Sequence, residues 1–193
     1  MAKRIVIIRG HPDSAHTHFC DALVEAYRSG AEAAGHSVEV LDPATMELPY
    51  LRSGQVWKLP APHEDIRRAQ EAIFRAEHLV IVYPLWLGDM PALLKSFFEQ
   101  VSCNGFVMSI GPDGRWLQGL KGKSARIIVT MGMPALIYRL YFFSHSLKSL
   151  ERNILKFAGV APVRSTLIGA IEKGAEYRRQ WLETVTKLGR EAA

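Results

Sequence analysis

The sequence predicts an α/β protein in which five parallel strands form a doubly wound sheet, built as a single domain over residues 1–193. Two observations lead to this prediction. Short apolar runs alternate with amphipathic stretches five times, a pattern typical of strands connected by covering helices. With 193 residues, of which 48% are hydrophobic and 22% charged, the chain is long enough for one substantial core and too short for two.

The predicted strands are short apolar runs bounded by polar or turn-forming residues. They cover residues 5–8, 38–41, 79–83, 125–130 and 163–168. Asp42 and Pro43 end the second run with residues that favour turns. For a doubly wound sheet of five such units, the flavodoxin-like strand order 2-1-3-4-5 is the natural candidate.

The predicted helices repeat apolar residues every three or four positions, which gives each helix one apolar face. They cover residues 17–34, 65–77, 92–101, 144–158 and 176–188. In the third helix, for example, Leu94, Phe98 and Val101 fall on one face. Gly35 is expected to end the first helix.

Two stretches lack a regular apolar pattern and are predicted to be excursions from the sheet. Residues 44–62 are rich in proline, which disfavours both helix and strand. Residues 105–123 are rich in glycine and contain the turn-forming run Gly111-Pro112-Asp113-Gly114, which predicts a hairpin-like excursion.

The composition argues against a membrane-embedded or a secreted protein. No run of eighteen apolar residues is present, and only four strongly apolar residues precede Arg9, so we expect neither an integral membrane segment nor a secretory signal. A cytoplasmic protein is therefore expected. Cys20 and Cys103 lack metal-ligand or redox spacing, which favours buried, reduced thiols.

The net charge of +5 does not by itself indicate a nucleic-acid partner. Lysine and arginine are scattered along the chain and do not form a recognisable nucleic-acid motif, so no such partner is expected. A mild basic excess would instead attract phosphorylated small molecules.

The loop after the first strand, residues 9–19, is polar and leads into the first helix. Free N–H groups at the start of a helix, with the Thr17 hydroxyl beside them, suit a phosphate or pyrophosphate. Alternatively, Thr17 simply caps the helix and the neighbouring histidines are solvated. Three histidines in eight residues also raise the question of a metal, but Pro12 interrupts the spacing, so no metal site is predicted.

Two further strand ends carry residues that suit a ligand. Residues 84–91 combine proline, glycine and Trp86 after the third strand, which gives a flat apolar wall suited to a flat cofactor ring. An ordinary turn with Trp86 in the core is the alternative. Residues 130–134 follow the fourth strand and contain Gly132, where backbone can approach a ligand closely. In the order 2-1-3-4-5, the ends of strands one, three and four are neighbours.

Several motifs occur in an order and at a spacing that resemble the flavodoxin-like NAD(P)H:quinone oxidoreductases. They are Gly10-His11-Pro12 with Thr17-His18-Phe19, Pro84-Leu85-Trp86-Leu87-Gly88, Pro91-Ala92-Leu93-Leu94-Lys95 with Phe98-Glu99, Thr130-Met131-Gly132, and Phe157-Ala158-Gly159-Val160. The resemblance extends over most of the chain. It implies a tightly held flavin, FMN or FAD, that is reduced by NAD(P)H and reoxidised by a quinone or similar acceptor.

The resemblance also implies which residues hold the flavin. Thr17, His18 and Phe19 would bind its phosphate, with His11 near the ribityl chain or pyrophosphate. Pro84, Leu85, Trp86 and Leu87 would line the ring and bond its polar edge through backbone N–H groups, and Thr130 and Gly132 would support the ring. Hydride chemistry then belongs to the flavin, while the protein positions donor and acceptor.

Other implied features lie beyond the fourth strand. Some family members place a tyrosine and a histidine there that stabilise charge on the reduced flavin or protonate the acceptor, and Tyr138 and His145 occupy roughly that region. The resemblance implies a homodimer with the pocket near the subunit boundary, and the aromatic run 138–143 suits such a surface.

Cys20, in the first helix, departs from the asparagine that many relatives carry at this position, which puts one phosphate contact in doubt.

Two other classes of function share the same fold. A flavodoxin-type electron carrier usually meets its partners through an acidic surface, whereas this chain is basic. A noncatalytic, nucleotide-sensing subunit of a potassium efflux system is the second alternative. The sequence does not choose between FMN and FAD, between NADH and NADPH, or among acceptors.

Overall fold

Five parallel strands form the central sheet of the computed structural model, which describes residues 1–61 and 63–193. In chain order the strands of the protein are β1 (Arg4–Arg9), β2 (Ser37–Leu41), β3 (His78–Pro84), β4 (Met108–Ile110), β5 (Trp116–Gln118), β6 (Ser124–Thr130) and β7 (Val163–Ile168). The sheet order is β2-β1-β3-β6-β7. This is the predicted order 2-1-3-4-5 once the two strands of the β4–β5 hairpin are left out of the count.

Helices cover both faces of this sheet. They are α1 (Phe19–Ala33), α2 (Glu64–Arg75), α3 (Ala92–Val101), α4 (Ala135–Leu140), α5 (His145–Ser149) and α6 (Ala175–Glu191). Short 3-10 turns occur at Pro43–Thr45, Val56–Lys58 and Cys103–Gly105, and a π-helical segment, Leu150–Lys156, continues α5. None of the described helices is both long enough and apolar enough to cross a bilayer.

Alternate residues of the central strands face two separate clusters of buried side chains. In β1, Ile5 and Ile7 pack with α1 and α6 on one side of the sheet, whereas Val6 and Ile8 pack with α2 and α3 on the other. Both faces are therefore covered, which explains why the strands are continuous apolar runs. Full burial of each such side chain contributes about 1.5–3 kcal/mol, so the sheet is a rigid base for the loops at its edge.

Most predicted elements are confirmed, including α3, whose observed bounds equal the predicted 92–101. The excursion 44–62 is irregular apart from its two 3-10 turns, and Pro62 lies outside the described residues. The predicted hairpin is present, and its turn is closed by a 2.9 Å hydrogen bond from the Gly114 N–H to the Gly111 carbonyl.

The predicted bounds of two helices were wrong. The first begins at Phe19 and not at Thr17, because the Asp21 carboxylate accepts the His18 N–H at 2.6 Å and fixes His18 as the residue before the helix. The predicted helix 144–158 begins one residue later and becomes π-helical, and an unpredicted helix, α4, precedes it. Phe143 and Ser144 separate α4 from α5 with φ values of 51° and 49°.

Candidate active site

The loops that follow β1, β3 and β6 meet at one edge of the sheet. β1 pairs with β3 up to Arg9 opposite Val82, and β3 pairs with β6 up to Pro84 opposite Thr130. Beyond the strands, the Gly10 N–H donates to the Val82 carbonyl at 2.7 Å, and the Leu85 N–H donates to the Thr130 carbonyl at 2.8 Å. The three strand ends that the sequence singled out are therefore neighbours.

Gly10 allows the first loop to pass close to the third strand. A Cβ at this position would lie 2.7 Å from the Leu94 Cδ2 and 2.7 Å from the Tyr83 Cβ, and 3.0 Å from the Val82 carbonyl oxygen. Such distances are far below ordinary van der Waals contact, so only glycine fits here without a shift of its neighbours.

Arg9, at the end of β1, ties the first loop to two other elements. Its Nε lies 2.6 Å from an Asp21 carboxylate oxygen of α1, and one terminal nitrogen lies 3.1 Å from Asp42, just after β2. The same guanidinium donates to the carbonyls of His11, at 3.1 Å, and Asp13, at 2.8 Å. Because its donors have a fixed planar geometry, Arg9 holds the loop in one shape.

Three histidines and one carboxylate surround the start of α1. The Asp13 Oδ2 lies 2.9 Å from the His18 Nε2 and 3.0 Å from the His16 Nδ1. The hydrogen bond with His18, together with the Ala15 N–H, holds the pKa of Asp13 far below its usual range. This carboxylate is therefore ionised and acts as a hydrogen-bond acceptor between the two imidazole rings.

His11 is the buried member of this group. Its ring stacks on the His18 ring, with centroids 3.7 Å apart and an interplanar angle of 17°, and forms a T-shaped pair with Trp86, with centroids 5.7 Å apart. Burial, and then the neighbouring His18, lower the pKa of His11. The Asp13 N–H lies 3.2 Å from the His11 Nδ1, which assigns the proton of the neutral ring to Nε2.

The loop after β3 forms a tight turn that presents two apolar side chains to solvent. Trp86 and Asp89 exchange backbone hydrogen bonds, each 2.9 Å long. Between them, Leu87 and Gly88 have φ values of 48° and 82°. Leu87 is fully exposed and Trp86 is 48% exposed, which gives a flat apolar wall at the sheet edge and not a core tryptophan.

The backbone of this turn can bond a ligand at fewer places than the sequence predicted. Pro84 has no N–H, the Leu85 N–H is bound to Thr130, and the Trp86 N–H is bound to Asp89. Within residues 1–61 and 63–193, no acceptor is found for the Leu87 N–H. Of the backbone N–H groups expected to bond a ring edge, those of Leu85 and Trp86 are therefore engaged within the protein and Pro84 has none, so that among these four residues the Leu87 N–H is the free donor.

The start of α1 offers further free donors. Thr17 is exposed and takes part in no side-chain hydrogen bond in the described part of the chain, so it is not the helix cap. The Phe19 and Cys20 N–H groups likewise have no acceptor among the described residues. First-turn N–H groups together with the helix dipole attract anions, so this end suits a phosphate.

Two of the predicted site residues are Thr130, the last residue of β6, and Gly132, in the loop that follows. Thr130 is buried, and its hydroxyl lies 3.3 Å from the Cys20 Sγ. Burial raises the pKa of the Cys20 thiol to about 12. The buried Cys20 side chain therefore joins α1 to β6, and only its backbone N–H remains available to a ligand. Gly132 borders open space.

Tyr138 and His145 have different surroundings. Tyr138 is fully buried, and its hydroxyl lies 2.7 Å from the Ser146 Oγ and accepts the Leu147 N–H at 3.1 Å. His145 is exposed, and its Nδ1 lies 3.1 Å from the Phe142 carbonyl oxygen. A Cβ built on Gly88 would lie 3.6 Å from the His145 Cε1, so this imidazole faces the Trp86–Asp89 turn.

Sequence reasoning did not single out Arg9 and Asp13, which organise the first loop. An arginine at the end of an otherwise apolar strand is a signal that could have identified Arg9, because a charge there must find partners. No group of three or more His, Cys, Asp or Glu side chains in the described residues is arranged to hold a metal ion.

The chain is similar to a known protein family and to solved structures. A family model described as "Flavodoxin-like fold" matches residues 3–188. Among solved structures, an NAD(P)H:quinone oxidoreductase from Methanothermobacter marburgensis superposes with a TM-score of 0.82 at 26% identity, covering 99% of this chain and 97% of that one.

Curated relatives match over shorter regions. An uncharacterized NAD(P)H oxidoreductase of Haemophilus influenzae is 29% identical over 109 residues, which is 56% of this chain and 54% of the relative. The mouse ribosyldihydronicotinamide dehydrogenase [quinone] is 27% identical over 135 residues, 67% of this chain and 58% of the relative. The matches thus span little more than half the length of these relatives.

Proposed function

This chain belongs to the family with a flavodoxin-like fold, and from that premise we propose that it is a flavin-dependent NAD(P)H dehydrogenase that passes hydride to a quinone or similar acceptor. The observation that carries the proposal is the meeting of three loops around the His11–His18 pair and the Trp86 turn. Similarity over nearly the whole chain to a solved NAD(P)H:quinone oxidoreductase supports it.

The residues at this edge suit a flavin, FMN or FAD. The free N–H groups of Phe19 and Cys20 would bind its phosphate with Thr17 and His18, and His11 would lie beside the ribityl chain or pyrophosphate. When bound, the flavin supplies hydride transfer from NAD(P)H.

The ring end of the site is formed by the other two loops. Trp86 and Leu87 would form the apolar wall, and the Leu87 N–H would be free to donate to the polar edge of the ring. Pro84, Leu85 and Thr130 hold that wall in place through the backbone bond between Leu85 and Thr130, while Gly132 leaves room beside it.

We assign different tasks to the two residues beyond β6. His145 faces the turn at Gly88 and is placed to hold or donate a proton through Nε2, because its Nδ1 contacts the Phe142 carbonyl. Tyr138 is buried and acts as a positioning residue, since its hydroxyl bonds the next two residues of α5, Ser146 and Leu147.

We also propose how the protein assembles and where it acts. The run around α4 exposes Leu136, Leu140, Tyr141 and Phe143, each at least 65% exposed, and an apolar surface of this kind suits a homodimer contact near the site. We further propose that residues 1–193 form one domain, and that the protein acts in the cytoplasm, where its two free thiols would stay reduced.

Turnover separates this proposal from its alternatives. Purified protein loaded with FMN or FAD should oxidise NADH or NADPH steadily when a quinone is present. Nucleotide binding without turnover would instead favour a sensor subunit, and electron exchange with a redox protein but not with a quinone would favour a carrier.

A further inference from the structure

A cavity of about 570 Å³ lies outside the edge of the sheet just described. It is an open groove lined by residues 51–57 of the long excursion, by α3 and by the helical segment that continues α5. Its lining is mainly apolar, with Trp57 on one side and Phe98, Val107, Ile154 and Phe157 on the others. This size falls in the range that takes up small organic molecules.

The polar groups of this cavity do not call for a charged ligand. Lys95 and Glu99 form an ion pair on one face of α3, so their charges largely cancel. Arg52 is exposed, so its charge remains in water. The interior therefore suits an uncharged, apolar group, because burying an unpaired charge there would be costly.

The cavity adjoins a second hollow on the side of the candidate active site. Ser149 and Asn153 line both this cavity and that hollow, which measures about 300 Å³ and is also lined by Phe143, His145, Lys148 and Arg152. His145 in turn faces Gly88 of the Trp86 turn. From His145 to Asn153 the helix rises by about 12 Å, which is comparable with the length of a short hydrocarbon chain.

We propose that this groove binds the prenyl tail of a lipid-type quinone whose head group lies beside His145. The inference rests on the proposed function and narrows its acceptor to quinones that carry an apolar tail. Because burial of two methylene groups already corresponds to about tenfold in affinity, even a short tail in the groove would dominate acceptor choice.

Two benzoquinones with the same head group, one without a tail and one with two prenyl units, test the inference. For the flavin-loaded protein, kcat/KM should be at least tenfold higher for the tailed quinone. Calorimetric titration of the same protein without NAD(P)H should give a dissociation constant lower by a similar factor. A ratio near one in both measurements would overturn the proposal.

Variants of the groove test whether its side chains cause the preference for the tailed quinone. Trp57→Ser and Phe157→Ser remove half-exposed aromatic rings from the two sides of the groove, and each should bring both ratios close to one. Phe74→Ser is the matched control, because Phe74 is 65% exposed and lies by the opposite end of the sheet. The control should keep the wild-type ratios, and the same loss in all three variants would contradict the assignment.

Two other results would separate this inference from a subunit contact and from the proposed function. If Trp57→Ser and Phe157→Ser change the number of subunits measured by light scattering, the groove is a contact between copies of the chain and the tail proposal is wrong. If neither quinone is reduced, the proposed function fails, while the calorimetric ratio still decides whether the groove prefers a prenyl tail.

Discussion

The imidazole rings of His11 and His18 stack at 3.7 Å, and His11 also forms a T-shaped pair with Trp86. This contact joins the loop after β1 to the turn after β3. The residues proposed to bind a phosphate and those proposed to line a flat ring therefore lie next to each other.

Trp86 is expected to matter for the ligand more than for the fold. Replacing it with alanine should weaken flavin binding at least tenfold, because half of the ring is exposed and forms the apolar wall. The melting temperature should change by only a few degrees, since little buried surface is lost. Flavin titration and thermal unfolding measure the two effects.

Trp116 provides the control for this variant, because it is 67% exposed on the β4–β5 hairpin. Trp116→Ala should leave flavin affinity unchanged. If Trp86→Ala loses stability and flavin affinity to the same extent, Trp86 serves only to hold the turn together.

Gly10→Ala should destabilise the protein by about 1–3 kcal/mol, since the new Cβ would overlap side chains of two neighbouring elements. Urea unfolding gives the free energy. Gly54→Ala, whose Cβ would meet open space, should change it by less than about 0.5 kcal/mol. Equal effects of the two substitutions would show that the close approach at Gly10 is not present in solution.

His145→Gln should slow acceptor reduction by about a hundredfold, the lower end of the range for a general acid. The flavin should bind as before, because His145 is exposed, its ring forms a hydrogen bond with the Phe142 carbonyl, and it is not among the residues proposed to bind the phosphate. Stopped-flow measurement of flavin reduction and reoxidation separates the two half-reactions. A defect confined to reduction by NAD(P)H would exclude the assigned role.

His78 should make stability depend on pH. Burial, and then the nearby cations Lys3 and Arg126, lower its pKa to about 4 in the folded protein, whereas an unfolded chain titrates near 6.5. The unfolded state therefore binds the proton first as the pH falls. The stability due to neutral His78 is complete above about pH 6.5 and is lost progressively toward pH 4, by up to about 3 kcal/mol.

His78→Gln should flatten this dependence, because glutamine does not titrate and still reaches Ser124, which the His78 Nδ1 contacts at 2.7 Å. Urea unfolding at several pH values between 4 and 7 compares the slopes. Identical slopes for the variant and the wild type would mean that His78 is not protonated on unfolding in this range.

Strands and long helices were predictable because buried runs and apolar faces leave clear patterns. The bounds of α3 were correct since Pro91 precedes it and apolar residues recur through Val101. The break at Phe143 and Ser144 was not predictable, because neither residue favours a positive φ. The start of α1 was missed because the residue before the helix, His18, is fixed by the Asp21 carboxylate three residues further on and not by the Thr17 hydroxyl.

The sequence patterns predicted that three loops lie at one edge of the sheet, but they did not predict the hydrogen-bond partners within those loops. Leu85 and Trp86 were expected to donate to a ligand, yet the Leu85 N–H is bound to Thr130 of the neighbouring strand and the Trp86 N–H to Asp89 within its own turn. The packing of Cys20 against Thr130 depends on a contact 110 residues apart in the chain. The long-range partners of Leu85 and Cys20 are set by the assembled sheet and have no local signature in the sequence.

Flavin content tests the central claim most directly. Well-folded protein, as purified or after incubation with FMN and with FAD, should show the absorption of an oxidised flavin and bind one flavin per chain, identified by mass after release. Folded protein that stays colourless and takes up neither flavin would contradict the account.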